Sequence, residues 1–305
     1  YAPISGPLNI LLVGVDTRES QPAWQPHADA VLILHVPASL DRAYVTSLPR
    51  DLLVTIPAFP PARFGGERTK LTHAMSYGSR VPGGGRPNVA QGFQLLARTV
   101  SGYTGIRRFD AGAVLTFRGF DALVDAVGGV QLTVDQRVVS MHRRPDGRHR
   151  TLVGGGYVGP QMVYPPGRRT FNGWQALDYA RQRYLSGGDY ARQRHHQQLV
   201  KALIGKIASL DTVRDPRRLD RVLRALGKTL TFDGRGRRVV DFAYALRRLR
   251  PAGVTLVGLP GGGVGSGGGY LGEQLQPVAG RYFAALRGNR LPAFVAANRS
   301  LLVKG

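Results

Sequence analysis

Residues 8–15 read LNILLVGV, with Asn9 the single polar side chain, and run straight into Asp16-Thr17-Arg18. A continuous apolar run of this length predicts a strand buried on both faces of a sheet. Its polar end then falls at the strand's C-terminal edge, where open α/β sheets place their ligands. For Asp16 alone, a carboxylate that caps a loop explains the residue equally well. After a polar loop containing Trp24 and His27, Asp29 opens a second apolar run, residues 30–36, so one loop has a carboxylate at each end. If the two strands are neighbours, Asp16 and Asp29 meet. A carboxylate pair beside phosphate oxygens suits Mg²⁺ or Mn²⁺, which completes its shell with water and phosphate. Residues 43–48 predict a third strand, and Pro49-Arg50-Asp51 ends it, bringing Arg50 to the same edge.

Further along, residues 52–56 predict a strand and a Pro- and Gly-rich loop leads to Lys70, the one lysine in the first two hundred residues. A lone lysine is usually solvated. Asn88 caps a predicted helix with Val89, Phe93, Leu96 and Val100 on one face. Residues 109–117 predict a strand, 119–127 a helix stopped by Gly128-Gly129, and 130–139 a half-exposed strand. From 141 to 169 the chain is rich in Arg, Gly and Pro and predicts a long loop or hairpin at the rim of the site. His142 and His149 within it have no metal-ligand partner at a credible spacing. Strands alternating with helices make the chain α/β.

Residues 176–198, ALDYARQRYLSGGDYARQRHHQQ, set Arg181, Arg183, Arg192 and Arg194 around a Gly187-Gly188 break. Asn172, with Gln175 as its capping-box partner, starts one helix and Asp189 caps a second. A helix start offers unpaired N–H groups, and arginine offers a permanently charged fork suited to phosphate oxygens. Phosphate or pyrophosphate is the ligand this stretch points to, although in an Arg-rich chain a solvated face explains the cluster as readily. Beyond it, Leu199, Val200, Leu203, Ile204, Ile207 and Leu210 form an apolar helix face, Asp215-Pro216 starts another helix, and Phe242, Leu246 and Leu249 mark a third. Residues 254–259 predict a returning strand and residues 275–286 a last helix. The glycines of 261–269 lack the Gly-Lys-Ser/Thr ending of a phosphate-binding loop and read as a flexible loop. There is no internal repeat and no composition shift that marks a second domain, so residues 1–305 are expected to form one.

The 305 residues are 43% hydrophobic, enough to fill a core, and carry a net charge of +23, almost wholly from arginine. Such a surface attracts nucleic acid, anionic headgroups or acidic polysaccharide, in each case with salt-sensitive affinity. The absence of cysteine excludes disulfides, a thiolate nucleophile and Cys-based zinc. No apolar run reaches the ~18 residues of a membrane span.

The segments NILLVGVDTR (9–18), ADAVLILHV (28–36), VTSLPRDLLVTIP (45–57), KLTHAMSYG (70–78), LVDAVGGVQLTV (123–134), QALDYARQRY (175–184) and GDYARQRHHQQ (188–198) resemble, in order and spacing, the successive motifs of the LytR-CpsA-Psr family. The likeness runs from residue 9 to about 206, with 210–305 expected to complete the same domain. It implies an αβα sandwich with a central mixed sheet. It implies a membrane-anchored, extracytoplasmic enzyme that transfers a glycopolymer phosphate from a polyprenyl-pyrophosphate carrier to peptidoglycan, with the single-pass N-terminal anchor lying before Tyr1. Carried over, Asp16 and Asp29 resemble the acids around Mg²⁺, and Arg50, Lys70, Arg181, Arg183 and Arg192 the cations on the pyrophosphate. Arg18 joins them from the first motif. His195-His196 depart from the Arg-Gln common in the family, but His196 shares a helix face with Arg192 and is counted with it as a hydrogen-bond donor to the pyrophosphate. Two rivals are weighed against this reading. A nucleic-acid regulator fits the charge but shows no recognition motif, and Asp16 and Asp29 would repel a backbone. A non-catalytic binder of wall polyanions would use the same basic residues without turnover.

Overall fold

The computed structural model describes residues 1–17, 20–209 and 214–305, with only the backbone described at residue 209. These residues pack as two compact units, Tyr1–Phe117 with Lys228–Val303, and Arg118–Gly227 with Lys304–Gly305.

The first unit begins with β1 (Leu8–Asp16), β2 (His27–Val36), β3 (Ala43–Leu48), the short hairpin of β4 (Leu53–Ile56) and β5 (Glu67–Lys70), helices α1 (Thr72–Gly78) and α2 (Val89–Thr104), and β6 (Ala111–Thr116). The third strand falls where the sequence predicts it. The second starts three residues earlier than predicted, so Asp29 lies inside β2 instead of opening it. Every residue from Val31 to Val36 is buried, His35 included, as expected of a central strand covered on both faces. The His35 ring meets the Asn9 side-chain oxygen at 2.7 Å, and burial lowers its pKa to about 4 against the opposing charge of Asp110. Asn88 caps α2 by accepting from the Gln91 N–H. α1 and α2 approach closely at Gly92, where a Cβ would stand 2.0 Å from the Ser79 hydroxyl and 2.8 Å from the Met75 carbonyl.

The second unit contains α3 (Phe117–Ala126) from its second residue on, β7 (Val130–Val134), β8 (Val138–Val139), β9 (Thr151–Val153), β10 (Gly156–Val158), β11 (Val163–Tyr164), β12 (Gly167–Phe171), α4 (Gly173–Arg181), α5 (Gly188–Ser209) and α6 (Pro216–Leu226). The predicted strand over 130–139 divides in two, because Val130–Val134 pairs with β12 and Val138–Val139 with β11. Val130, Leu132 and Val134 point inward by the period-two rule and pack with Val124, Tyr164, Phe171, Tyr179 and Leu199. Leu210, expected on the face of α5, lies outside the described residues.

The chain returns to the first unit through β13 (Leu230–Asp233), α7 (Val239–Ala245), β14 (Val254–Val257), β15 (Gly261–Val264), β16 (Gly272–Leu275), α8 (Val278–Arg287), α9 (Leu291–Ala297) and β17 (Leu302–Val303). The sheet order is β13-β6-β1-β2-β3-β14-β17. It is mixed: β1 runs parallel to β6 and β3 parallel to β14, while the other four pairings are antiparallel. This is the expected α/β architecture with a central mixed sheet. The glycines of 261–269, read from sequence as a flexible loop, instead contribute β15 to a hairpin with β16. Among the described residues no helix is long and apolar enough to cross a membrane.

Candidate functional site

In the first unit the ends of β1 and β3 and the start of β2 fall at one end of the sheet, as their alternating directions require. Asp16 closes β1 opposite His27, and the register slips between Gly14 and Val15, leaving Asp29 as the extra residue between Ala28 and Ala30. A bulge bends a strand and re-aims a side chain. The two predicted acids therefore sit on neighbouring strands. Arg50, just past β3, places its guanidinium on the Asp29 carboxylate, with its Nε 3.4 Å from Asp51 Oδ1. Lys70 closes β5, with Nζ 3.7 Å from Asp51 Oδ2 and 5.0 Å from the centre of the Tyr270 ring. Asp16, Asp29, Arg50 and Lys70 thus belong to one unit, and three of them join one charged row through Asp51. Arg18 lies outside the described residues.

Sequence reasoning missed four partners. Asp51 is the acid that links Arg50 to Lys70. The Tyr270 hydroxyl lies 3.1 Å from Asp51 Oδ2 and 2.9 Å from Glu273 Oε2, sharing its proton between two carboxylates. Burial, reinforced by those acids, raises its pKa. Tyr270 and Glu273 come from the β15–β16 hairpin, whose Glu273 N–H donates to the Asp51 carbonyl at 2.8 Å. His73 is the fourth: its ring meets His27 edge-on at 5.6 Å and stacks on Tyr77 at 5.6 Å. Burial, then the positive fields of His27, Lys70 and Arg50, lower its pKa. KLTHAMSYG contained His73, and that motif was the available signal.

In the second unit, the Asn172 capping box forms as predicted, with Gln175 N donating to Asn172 and Asn172 N donating to Gln175. α4 ends at Arg181. Its buried Asp178 accepts from Ser140 Oγ at 2.9 Å, Tyr164 OH at 2.8 Å and Gln182 Nε2 at 3.0 Å, while Gln182 accepts from the Met141 N–H at 3.0 Å. This network fixes the turn that presents Arg181 and the exposed Arg183, whose guanidinium lies 5.9 Å from the Tyr184 ring centre. Arg181 is close enough to His142 that, after burial, its charge is the main cause of that ring's lowered pKa.

Asp189 does not cap α5. The helix starts at Gly188, and Asp189 lies in its first turn, 2.6 Å from the Arg192 guanidinium and accepting from Gln193 at 3.1 Å. Arg192 is only 6% exposed and is held in that ion pair. Arg194 reaches Asp135 at 3.4 Å. His195 places Nε2 2.9 Å from Asp135 and stacks on Tyr179 at 4.3 Å. Burial pushes the Asp135 carboxyl up, but the bond to His195 and the charges of His195 and Arg194 outweigh it and hold the group low. His196 donates to the Ala180 carbonyl at 2.9 Å, and burial, with Arg192 beside it, lowers its pKa to about 3 although part of the side chain reaches solvent. His195 thus bonds Asp135 and His196 the Ala180 carbonyl. Among the described residues no group of three or more His, Asp or Glu side chains is arranged to hold a metal ion.

The first unit is an α/β fold with Asp29, Arg50, Asp51 and Lys70 gathered at one end of its sheet. The LytR_cpsA_psr family model matches residues 3–281, and the chain belongs to that family. It is 28% identical over 229 residues to biofilm regulatory protein A of Streptococcus mutans, covering 73% of this chain and 49% of that protein. It is 26% identical over 246 residues to the polyisoprenyl-teichoic acid–peptidoglycan teichoic acid transferase TagU of Enterococcus faecalis, covering 80% and 68%. To the cell wall biosynthesis protein LcpA of Corynebacterium glutamicum it is 27% identical over 285 residues, covering 84% and 50%. The chain thus spans about half to two thirds of the length of these relatives. Among solved structures, Bacillus subtilis TagV superposes with a TM-score of 0.66 at 17% identity, covering 95% of this chain and 99% of TagV. TagT bound to LI-WTA superposes at 0.64 with 23% identity, covering 93% and 90%. Both share the fold.

Proposed function

We propose that this chain is the catalytic part of an extracytoplasmic phosphotransferase at the cell membrane, moving a glycopolymer phosphate from a polyprenyl-pyrophosphate carrier onto peptidoglycan. The observation that carries the reading is the Asp29–Arg50–Asp51–Lys70 row at the end of the sheet, in a chain of this family. Two cations held by acids form a prepared anion site: phosphate oxygens compete with the carboxylates for the same N–H donors. Two of the names support it, since TagU is called a teichoic acid–peptidoglycan transferase and TagT was solved with LI-WTA.

In this reading a sugar hydroxyl of peptidoglycan, by family resemblance the 6-hydroxyl of N-acetylmuramic acid, attacks the glycopolymer-side phosphorus. The bond from that phosphorus to the bridging oxygen breaks, polyprenyl phosphate leaves carrying that oxygen, and the hydroxyl proton passes to solvent water. Arg50 and Lys70 hold the charge that gathers on the departing phosphate, the contribution that dominates phosphoryl transfer. Arg181 and Arg183 are proposed as further phosphate ligands. Asp16 and Asp29 have the donor chemistry of a Mg²⁺ or Mn²⁺ site, which uses one or two carboxylates and takes its other oxygens from water and phosphate. A bound ion there would neutralise phosphoryl oxygens. A lipid-linked donor places the work at a membrane surface and makes a membrane anchor an expected part of the full protein. The test is Asp16→Ala and Asp29→Ala: transfer lost with the circular dichroism spectrum kept supports the enzyme. Unchanged transfer overturns it, and polyanion binding without any turnover in the parent chain identifies the non-catalytic binder.

A further inference from the structure

Residues 151–158, TLVGGGYV, form the β9–β10 hairpin of the second unit, and all six strand residues are exposed. Gly154 and Gly155, with φ of 57° and 83°, make the two-residue turn that demands left-handed backbone at both positions. The register sets Leu152 against Tyr157 on one face and Thr151 against Val158 on the other. A hairpin with one face on a core carries polar residues on its other face. This one is apolar on both, with Leu152 61%, Val153 59%, Tyr157 37% and Val158 48% exposed. A contiguous exposed apolar element marks an interaction site, because water alone gives no reason to keep it.

The base of the hairpin is polar, tightly bonded and cationic. Arg150 donates to the Met141 carbonyl at 2.8 Å, the Tyr157 carbonyl at 3.3 Å and the Gly159 carbonyl at 3.1 Å. Arg143 bridges to His149 and donates to the Gly147 carbonyl at 2.8 Å, and the His142 ring meets Tyr157 edge-on at 5.3 Å. Residues 143–150, RRPDGRHR, set four arginines against the single acid Asp146. An apolar tip above an arginine collar is complementary to a surface that is anionic outside and apolar beneath. Three strand residues at ~3.3 Å each reach about 10 Å, the depth of a headgroup layer and its acyl boundary. Tyrosine favours that boundary, and each basic side chain near an anionic leaflet adds about 1 kcal/mol of attraction.

We propose that the 151–158 hairpin dips into an anionic lipid surface, with Leu152, Val153 and Val158 entering the acyl boundary and the arginines of 143–150 facing headgroup phosphates, which compete with Asp146 for Arg148, paired to it at 2.8 Å. The inference needs no transfer reaction, since bare vesicles test it, so it and the proposed enzyme fail separately.

The chain has no cysteine, so Leu152→Cys carries a polarity-sensitive fluorophore at one site. On phosphatidylglycerol vesicles its emission shifts to the blue, while the same label at Ser266→Cys does not shift. The unlabelled chain sediments with phosphatidylglycerol vesicles and not with phosphatidylcholine vesicles, less so as salt rises. Leu152→Ser with Val153→Ser, both at exposed positions, lowers the partition coefficient about ten-fold with Tm unchanged. No sedimentation with anionic vesicles, equal sedimentation of the double variant, or an unshifted label at position 152 overturns the proposal. A hairpin that instead mediates self-association gives the first or third of these outcomes.

Discussion

Arg50 joins Asp29 of β2 to Lys70 of β5 through Asp51. Removing a preorganised charge from a phosphoryl-transfer site costs about 10²–10³ in turnover. Arg50→Ala is expected to lose that much, and Arg50→Lys to recover part of it, because a point charge replaces the planar fork. A turnover within two-fold of the parent for Arg50→Ala removes the residue from the mechanism. A second residue-scale prediction concerns pH. The His196 pKa falls from 6.5 to about 3 on folding. The unfolded chain therefore takes up a proton below about pH 6.5 that the folded chain refuses, so this contribution to stability is complete above that value and is lost as pH drops toward 3. His35 acts with the same sign. His196→Gln, which keeps a donor for the Ala180 carbonyl, is expected to show a smaller fall in Tm between about pH 7 and pH 5; an equal fall contradicts the assignment. Arg50 and Lys70 were legible in sequence because their motifs name them. Tyr270 was not, since its partner Asp51 lies 219 residues away and only the hairpin brings them together.

At the scale of elements, α5 is tied to the end of β7 by Asp135, which takes His195, Arg194 and, at 3.4 Å, Gln198. Asp135→Ala leaves the fully buried His195 without its acid and is expected to cost about 2–3 kcal/mol, measured by denaturant unfolding. Gly92→Ala thrusts a methyl into Ser79 and the Met75 carbonyl, and a cost of about 1–3 kcal/mol is expected. Strands with a continuous apolar run and helices with a cap were readable, as β3 and the Asn88 and Asn172 caps show. The split at Asp135 was not, because Val130–Val134 and Val138–Val139 share one alternation and differ only in which distant strand pairs with them. The β15–β16 hairpin was hidden for another reason: glycine carries no side chain, so its strand has no apolar pattern to read.

For the whole molecule, two compact units arise from a sequence with no linker between them, since β6 ends at Thr116 and α3 begins at Phe117. No run of Gly, Pro or Ser marks that passage, and the family's motifs occur on both sides of it. The charge of +23 makes every interaction with a polyanion salt-dependent, so donor binding is expected to weaken as ionic strength rises and to persist best where Arg50 and Lys70 are partly shielded from water. The central claim is the transfer itself. Purified chain given a polyprenyl-pyrophosphate-linked glycopolymer, peptidoglycan and Mg²⁺ is predicted to release one polyprenyl phosphate for each glycopolymer phosphate fixed to peptidoglycan, with Arg50→Ala almost silent. Folded protein that releases no polyprenyl phosphate, or an Arg50→Ala variant that works at the parent's rate, contradicts the account.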